Sequence, residues 1–224
     1  MEEALASEGV KYATGNVKTI EELFSEKNIA VLKQHFQGVF AFLGFHPKVD
    51  TGITSYICSG SITSDSGPDI LVLFTLDTPA TSPVELESQS FKKWIELDTR
   101  VHPSYTIIRD MFKDPVALPF PGIVFFEDFM QLQNPIYIHI SDSSNEDAVR
   151  QQMRLLFSLT EKAYNVSLES GKGFLDILAE SLQKNRLPYE RGHDISAREW
   201  FVNAFRIIGK HFGDIVSVVQ LFKP

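Results

Sequence analysis

A single α/β domain, built in three layers around a mixed, partly antiparallel sheet, is the fold class this sequence predicts. Three observations point there. Segments with apolar residues at helical spacing alternate with short runs rich in β-branched and aromatic residues. Four capping boxes announce helix starts, at Thr19/Glu22, Ser82/Glu85, Ser144/Asp147 and Ser196/Glu199, each pairing a hydroxyl with a carboxylate three residues on. The chain of 224 residues is also long enough to bury one good core.

Taken in order, residues 2–13 read as a short helix. Beyond Thr19, the positions Ile20, Leu23, Phe24, Ile29, Leu32, Phe36, Val39, Phe40 and Leu43 form an apolar stripe at helical spacing that ends at Gly44 and Pro47. Strands are expected over 53–61, 69–77, 105–109, 122–127, 135–141 and 214–222. The serine- and glycine-dense stretch CSGSITSDSGP (58–68) lies between the first two, and its Asp, Ser, Gly and Pro residues suit a hairpin turn. It fits neither a nucleophile elbow, which needs G-x-S-x-G, nor a phosphate loop, which needs a helix start next. The Ser82 helix has Pro83 at its first helical position and carries Phe91, Trp94 and Ile95. The Ser144 helix carries Val149, Met153, Leu156 and Ala163, ending near Asn165. A helix after Gly173 carries Phe174, Ile177, Leu178 and Leu182, and stops before Pro188. The last helix carries Trp200, Phe201, Ala204, Phe205 and Ile208, and Gly213 closes it. These elements divide one domain, 1–224, into N-terminal helices (1–50), a central sheet unit (51–165), and C-terminal helices with a final strand (166–224).

From residue 69 the order runs strand, helix, strand, long connection, strand, strand, helix. With the proline that precedes a strand in LPFPGIVFF, this order resembles that of thioredoxin-like folds over about residues 69–165. The resemblance lies in connectivity. Where a redox member of that family would carry CxxC, this chain has TPATSP (78–83), so the resemblance implies the architecture without disulfide exchange.

Composition narrows the function classes. The net charge is −8, and the excess is uneven: residues 1–144 hold 10 basic and 19 acidic side chains, residues 145–224 hold 11 and 10. An acidic chain with no basic cluster is a poor partner for nucleic acid or for an anionic membrane surface. The start, MEEALASEGVKYATGN, is acidic where a secretory signal is basic, and runs such as ILVLF are too short to span a bilayer. One cysteine forms no internal disulfide and suits a reducing, cytoplasmic setting. The 18 phenylalanines outnumber Tyr and Trp together by more than two to one, which implies core filling more than a ligand cavity.

The first site candidate is the junction Asp77-Thr78-Pro79-Ala80-Thr81-Ser82, where a strand end meets a helix start that offers free N–H groups to an anion. The bland reading is that Ser82 caps its own helix. His139 lies on strand 135–141, sharing a face with Tyr137 and Ser141, while Ile136, Ile138 and Ile140 take the other face. Asp142 follows, but the simpler reading is a structural histidine. Thus Asp77, Thr78, Thr81, Ser82 and His139 form the candidate ligand-binding set. Glu127 and Asp128 read as solvated acids at a strand end. His102, His193 and Asp194 lie in loops without metal-ligand spacing, so no metal and no cofactor are expected. Cys58 reads as a small buried hydrophobe, and ESGKGF (169–174) as a glycine pair at a helix start.

Strong folding signals without a catalytic constellation favour a non-enzymatic adaptor or sensor that binds a protein partner or a small molecule, with self-association left open. Two alternatives remain at this stage: an enzyme acting on a small anionic substrate at 77–82, and a carrier of an apolar ligand in a Phe-lined cavity.

Overall fold

The computed structural model describes residues 36–74, 103–109, 111–112, 118–128, 133–193 and 217–219. The capping boxes at Thr19, Ser82 and Ser196, the helices expected from the last two, and the stripe after Thr19 up to residue 35 lie outside the described residues. So does the helix expected over 2–13.

The described elements are β1 (Val39–Gly44), α1 (Thr51–Cys58), α2 (Ser61–Ser66), β2 (Ile70–Phe74), α3 (Pro103–Arg109), β3 (Gly122–Phe126), β4 (Ile136–His139), α4 (Glu146–Ser170), α5 (Phe174–Lys184), β5 (Glu190–Arg191) and β6 (Ser217–Val219). The strands form one mixed sheet in the order β5-β4-β3-β1-β2-β6. Only β1 and β2 run parallel; the other neighbouring pairs are antiparallel. Sheet and helices together make an α/β protein. Four expected strands fall on β2, β3, β4 and β6, and β2 lies inside the sheet between β1 and β6. No helix among the described residues is long and apolar enough to cross a membrane.

Four local expectations are corrected. The stripe Phe36, Val39, Phe40, Leu43 is not helical: VFAFLG is strand β1, buried at every position. A strand covered on both faces is a continuous apolar run, and over six residues such a run matches helical spacing as well as strand. Residues 53–61 are not a strand but α1 and the turn after it, with Ile53, Tyr56 and Ile57 on the buried side. Residues 105–109 belong to helix α3, which starts at Pro103, a favourable first helical residue. In both segments packing overrides β propensity. Finally, 58–68 is not a hairpin. Parallel strands require a crossover, and the chain makes it through α1 and α2, with Gly60 (φ 74°) between the helices and Gly67 (φ 69°) after them.

The main core lies between one sheet face and α1, α2, α4 and α5. Val39, Ala41, Leu43, Val72, Phe74, Ile123, Phe125, Ile136 and Ile138 meet Ile53, Tyr56, Ile62, Met153, Leu156, Phe157, Phe174 and Leu178 there. Each large side chain buried here contributes about 1.5–3 kcal/mol. Helix α4 starts at Asn145, whose side chain accepts from the N–H groups of Asp147 and Ala148, so the cap is Asn145 and not Ser144. It runs five residues beyond Asn165 and ends at Gly171 (φ 68°), whose N–H reaches Ser167 O. Glu127, expected to be merely solvated, accepts from the N–H of Phe174 at 2.8 Å and so ties β3 to the start of α5. The Gln152 side chain donates to His139 O at 2.8 Å and accepts from Ser141 N at 3.0 Å, covering backbone groups at the end of β4.

By strand alternation the second face carries Phe40, Phe42, Leu71, Leu73, Val124, Phe126 and Tyr137, all buried. Helix α3 packs on this face: a Cβ on Gly44 would run into the Ile108 side chain. Most phenylalanines of the described residues are buried among other core side chains.

Candidate functional site

Strand direction brings several chain ends to one end of the sheet. β1, β2 and β4 finish there, and β3 begins there. The ladder aligns Gly44 with Gly122 and Gly122 with His139, one row across three strands. Glycine in this row permits close approach. The Tyr137 phenol lies where a Gly122 side chain would stand, and donates to Pro119 O. The Phe120–Pro121 peptide, just before β3, is cis.

Over this end sits a buried polar knot centred on Asp50, only 3% exposed. Oδ2 accepts from His46 N at 2.7 Å and from Tyr105 Oη at 2.8 Å, and Oδ1 accepts from Ser143 Oγ at 2.7 Å. Three segments converge on one carboxylate: the β1–α1 turn, helix α3 and the β4–α4 loop. Asp50 stands at the N-cap position of α1, yet its side chain bonds none of that helix's N–H groups. Ser143 O takes them instead, from Gly52 N at 2.9 Å and Ile53 N at 3.3 Å. The helix start that might have held an anion is thus closed by protein backbone. Ser104 Oγ donates to Phe45 O at 3.0 Å, a second polar pin under α3. His46 Nδ1 accepts from Lys48 N at 3.2 Å.

Burial, followed by the bond to Asp50, pushes the Tyr105 phenol far above the usual tyrosine range, so it acts as a donor and not as a base. Burial pushes Tyr137 up as well, with Arg109 opposing the shift. Phe120 packs tilted against both phenols, its ring centre 4.5 Å from that of Tyr105 and 5.8 Å from that of Tyr137. General acid–base work needs a group within reach of substrate. Here both carboxylate oxygens of Asp50 are engaged by the protein, so the knot is built to hold segments together.

Of the sequence candidates, His139 is half-buried at the end of β4 and its Nδ1 donates to Pro121 O at 2.8 Å. It shares a sheet face with Tyr137, and Asp142 bonds neither of its ring nitrogens. Asp77, Thr78, Thr81 and Ser82 lie outside the described residues, as do His102 and Asp194; β2, which leads toward the junction, ends at Phe74 at this same end of the sheet. Cys58 is exposed at the last position of α1, not buried as a strand residue. Among the described residues no three His, Cys, Asp or Glu side chains are grouped to hold a metal ion. Asp50, Tyr105, Ser143 and His46 were not singled out from sequence. Asp50 ahead of a helix signals a cap at most, and its partners lie 55 and 93 residues away.

Comparison with known proteins adds no relative: no family model, curated protein or solved structure matches this chain.

Proposed function

We propose that this chain is a cytoplasmic, non-enzymatic binding module, an adaptor or sensor for a protein partner or a small ligand. The observation that carries this reading is the Asp50 knot. Its Asp50 carboxylate is buried and bonded to the buried Tyr105 phenol and the half-buried Ser143 hydroxyl, and the adjoining α1 start is occupied by Ser143 O. The acidic balance argues against nucleic acid and anionic membranes as partners.

The architecture we favour has three layers, with α3 on one side of the sheet and α1, α2, α4 and α5 on the other. The thioredoxin-like order belongs to it if the unit is started at β1 and not at residue 69. Support comes from the parallel β1–β2 pair joined by helices, the antiparallel β3 and β4, the helix α4 that follows, and the proline before β3. On this alignment the stretch after β1 is FHPKVDTG, which lacks cysteine, and Cys58 stands at the far end of α1. Thiol–disulfide exchange through a CxxC pair therefore has no place in the proposal.

The test is gentle purification from the native lysate, followed by native mass spectrometry and size measurement. A stoichiometric partner, ligand or second copy is the expected result. A strictly monomeric, ligand-free protein at high concentration would count against the module.

A further inference from the structure

We infer that Arg109 is an anchor for an anionic group, a carboxylate or phosphate, carried by what this module binds. The inference rests on the binding reading above and gives it a chemistry. Arg109 closes α3 with its guanidinium carbon 5.1 Å from the centre of the Phe120 ring. Phe120 packs in turn against the Tyr105 and Tyr137 rings, so the guanidinium lies on an aromatic surface supported from beneath.

What is missing is an acceptor. The side chain is half-buried, and its Nε is sealed from solvent with no hydrogen-bond partner. The ion pairs of the described residues join Arg150 to Glu146, Arg154 to Asp65 and Arg191 to Asp176, and none includes Arg109. Asp50, the carboxylate bonded by Tyr105 of the same helix, is spent on His46, Tyr105 and Ser143. A place in the last turn of a helix suits a cation, but it leaves the Nε–H unmet. Buried polar groups are ordinarily hydrogen-bonded, and an orphaned buried donor such as this Nε–H is costly. A carboxylate or phosphate docking side-on through two of its oxygens takes Nε–H together with a terminal N–H, supplying both the acceptor and the counter-charge once the side chain turns its Nε edge outward.

The experiment titrates wild type, Arg109→Lys and Arg109→Met with succinate and with inorganic phosphate, at constant ionic strength set by sodium chloride. The Arg109 Nε–H signal is followed by NMR and the unfolding midpoint in parallel. We expect a saturable shift of that signal and a rise in midpoint. Affinity should weaken at least tenfold in Arg109→Met and measurably in Arg109→Lys. Stronger binding of succinate identifies a carboxylate, and of phosphate a phosphate. A wild-type Nε–H signal that does not respond saturably to either anion overturns the inference, and this readout requires no variant to fold. So does an Arg109→Met protein that binds as wild type does. A partner that copurifies equally with wild type and Arg109→Met sinks the anchor alone, whereas absence of any partner or ligand sinks the module.

Discussion

The two faces of the sheet are held by different physics. On the α1, α2, α4 and α5 side, more than twenty buried apolar side chains interlock, and no single one decides the outcome. On the α3 side, a seven-residue helix is fastened by two buried side-chain hydrogen bonds and a close approach over glycine. So short a helix has little stability of its own. The first face is robust because its energy is spread out. The second buries apolar side chains as well, but its helix α3 is clasped at one carboxylate, Asp50, and perturbation should separate the two.

The largest effect is expected from Asp50→Ala. It strands two buried donors, His46 N–H and the Tyr105 phenol, and the half-buried Ser143 hydroxyl, at about 1–3 kcal/mol for each buried one, so urea unfolding should show a loss of roughly 3 kcal/mol. Asp50→Asn, which keeps an acceptor, should lose less. If both variants stayed within about 0.5 kcal/mol of wild type, the knot would contribute nothing. Gly52→Ala comes next, at about 2–3 kcal/mol in the same assay. Its Cβ would stand 2.6 Å from the Asn145 carbonyl carbon and 2.8 Å from Ser143 O, backbone atoms that cannot turn aside.

Alkali should sharpen the contrast. The buried phenols of Tyr105 and Tyr137, on the α3 side, and of Tyr56, on the other, are all held well above their usual range, first of all by burial. Unfolded tyrosine ionises near pH 10. Above that pH the folded state therefore keeps protons that the unfolded state has lost, and stability falls as pH rises. Each buried phenol should contribute up to about 1.4 kcal/mol per pH unit, with no effect below about pH 9. Urea midpoints at pH 8 and 11, with phenolate absorbance read alongside, check this. Tyr105→Phe should reduce the alkaline loss by one phenol's share. The smallest effect belongs to Cys58. Its exposed thiol should react with a thiol reagent in the native protein, and Cys58→Ser should change stability by less than about 0.5 kcal/mol. Reaction only upon unfolding would mean a buried cysteine after all.

The same contrast explains what the sequence discloses. The amphipathic stripe of α4 and α5 and the β-branched runs of β2, β3 and β4 are local signals, and they survive into the fold. β1 and α1 exchange identities because a two-sided buried strand and a short β-branched helix each imitate the other's pattern. The polar knot left no local mark. It joins residues 46, 50, 105 and 143, and only the sheet's topology makes them neighbours. Cys58 follows from the same exchange: a strand over 53–61 turns it inward, whereas the last position of α1 leaves it exposed. His139 was assigned the right strand and face, but its bond to Pro121 O depends on the β3–β4 register.

A double-mutant cycle on Asp50→Ala and Tyr105→Phe, read by urea unfolding, tests most directly whether one carboxylate clasps α3 to the sheet. The account predicts a coupling of about 1 kcal/mol or more between the two sites. Strictly additive losses would contradict it.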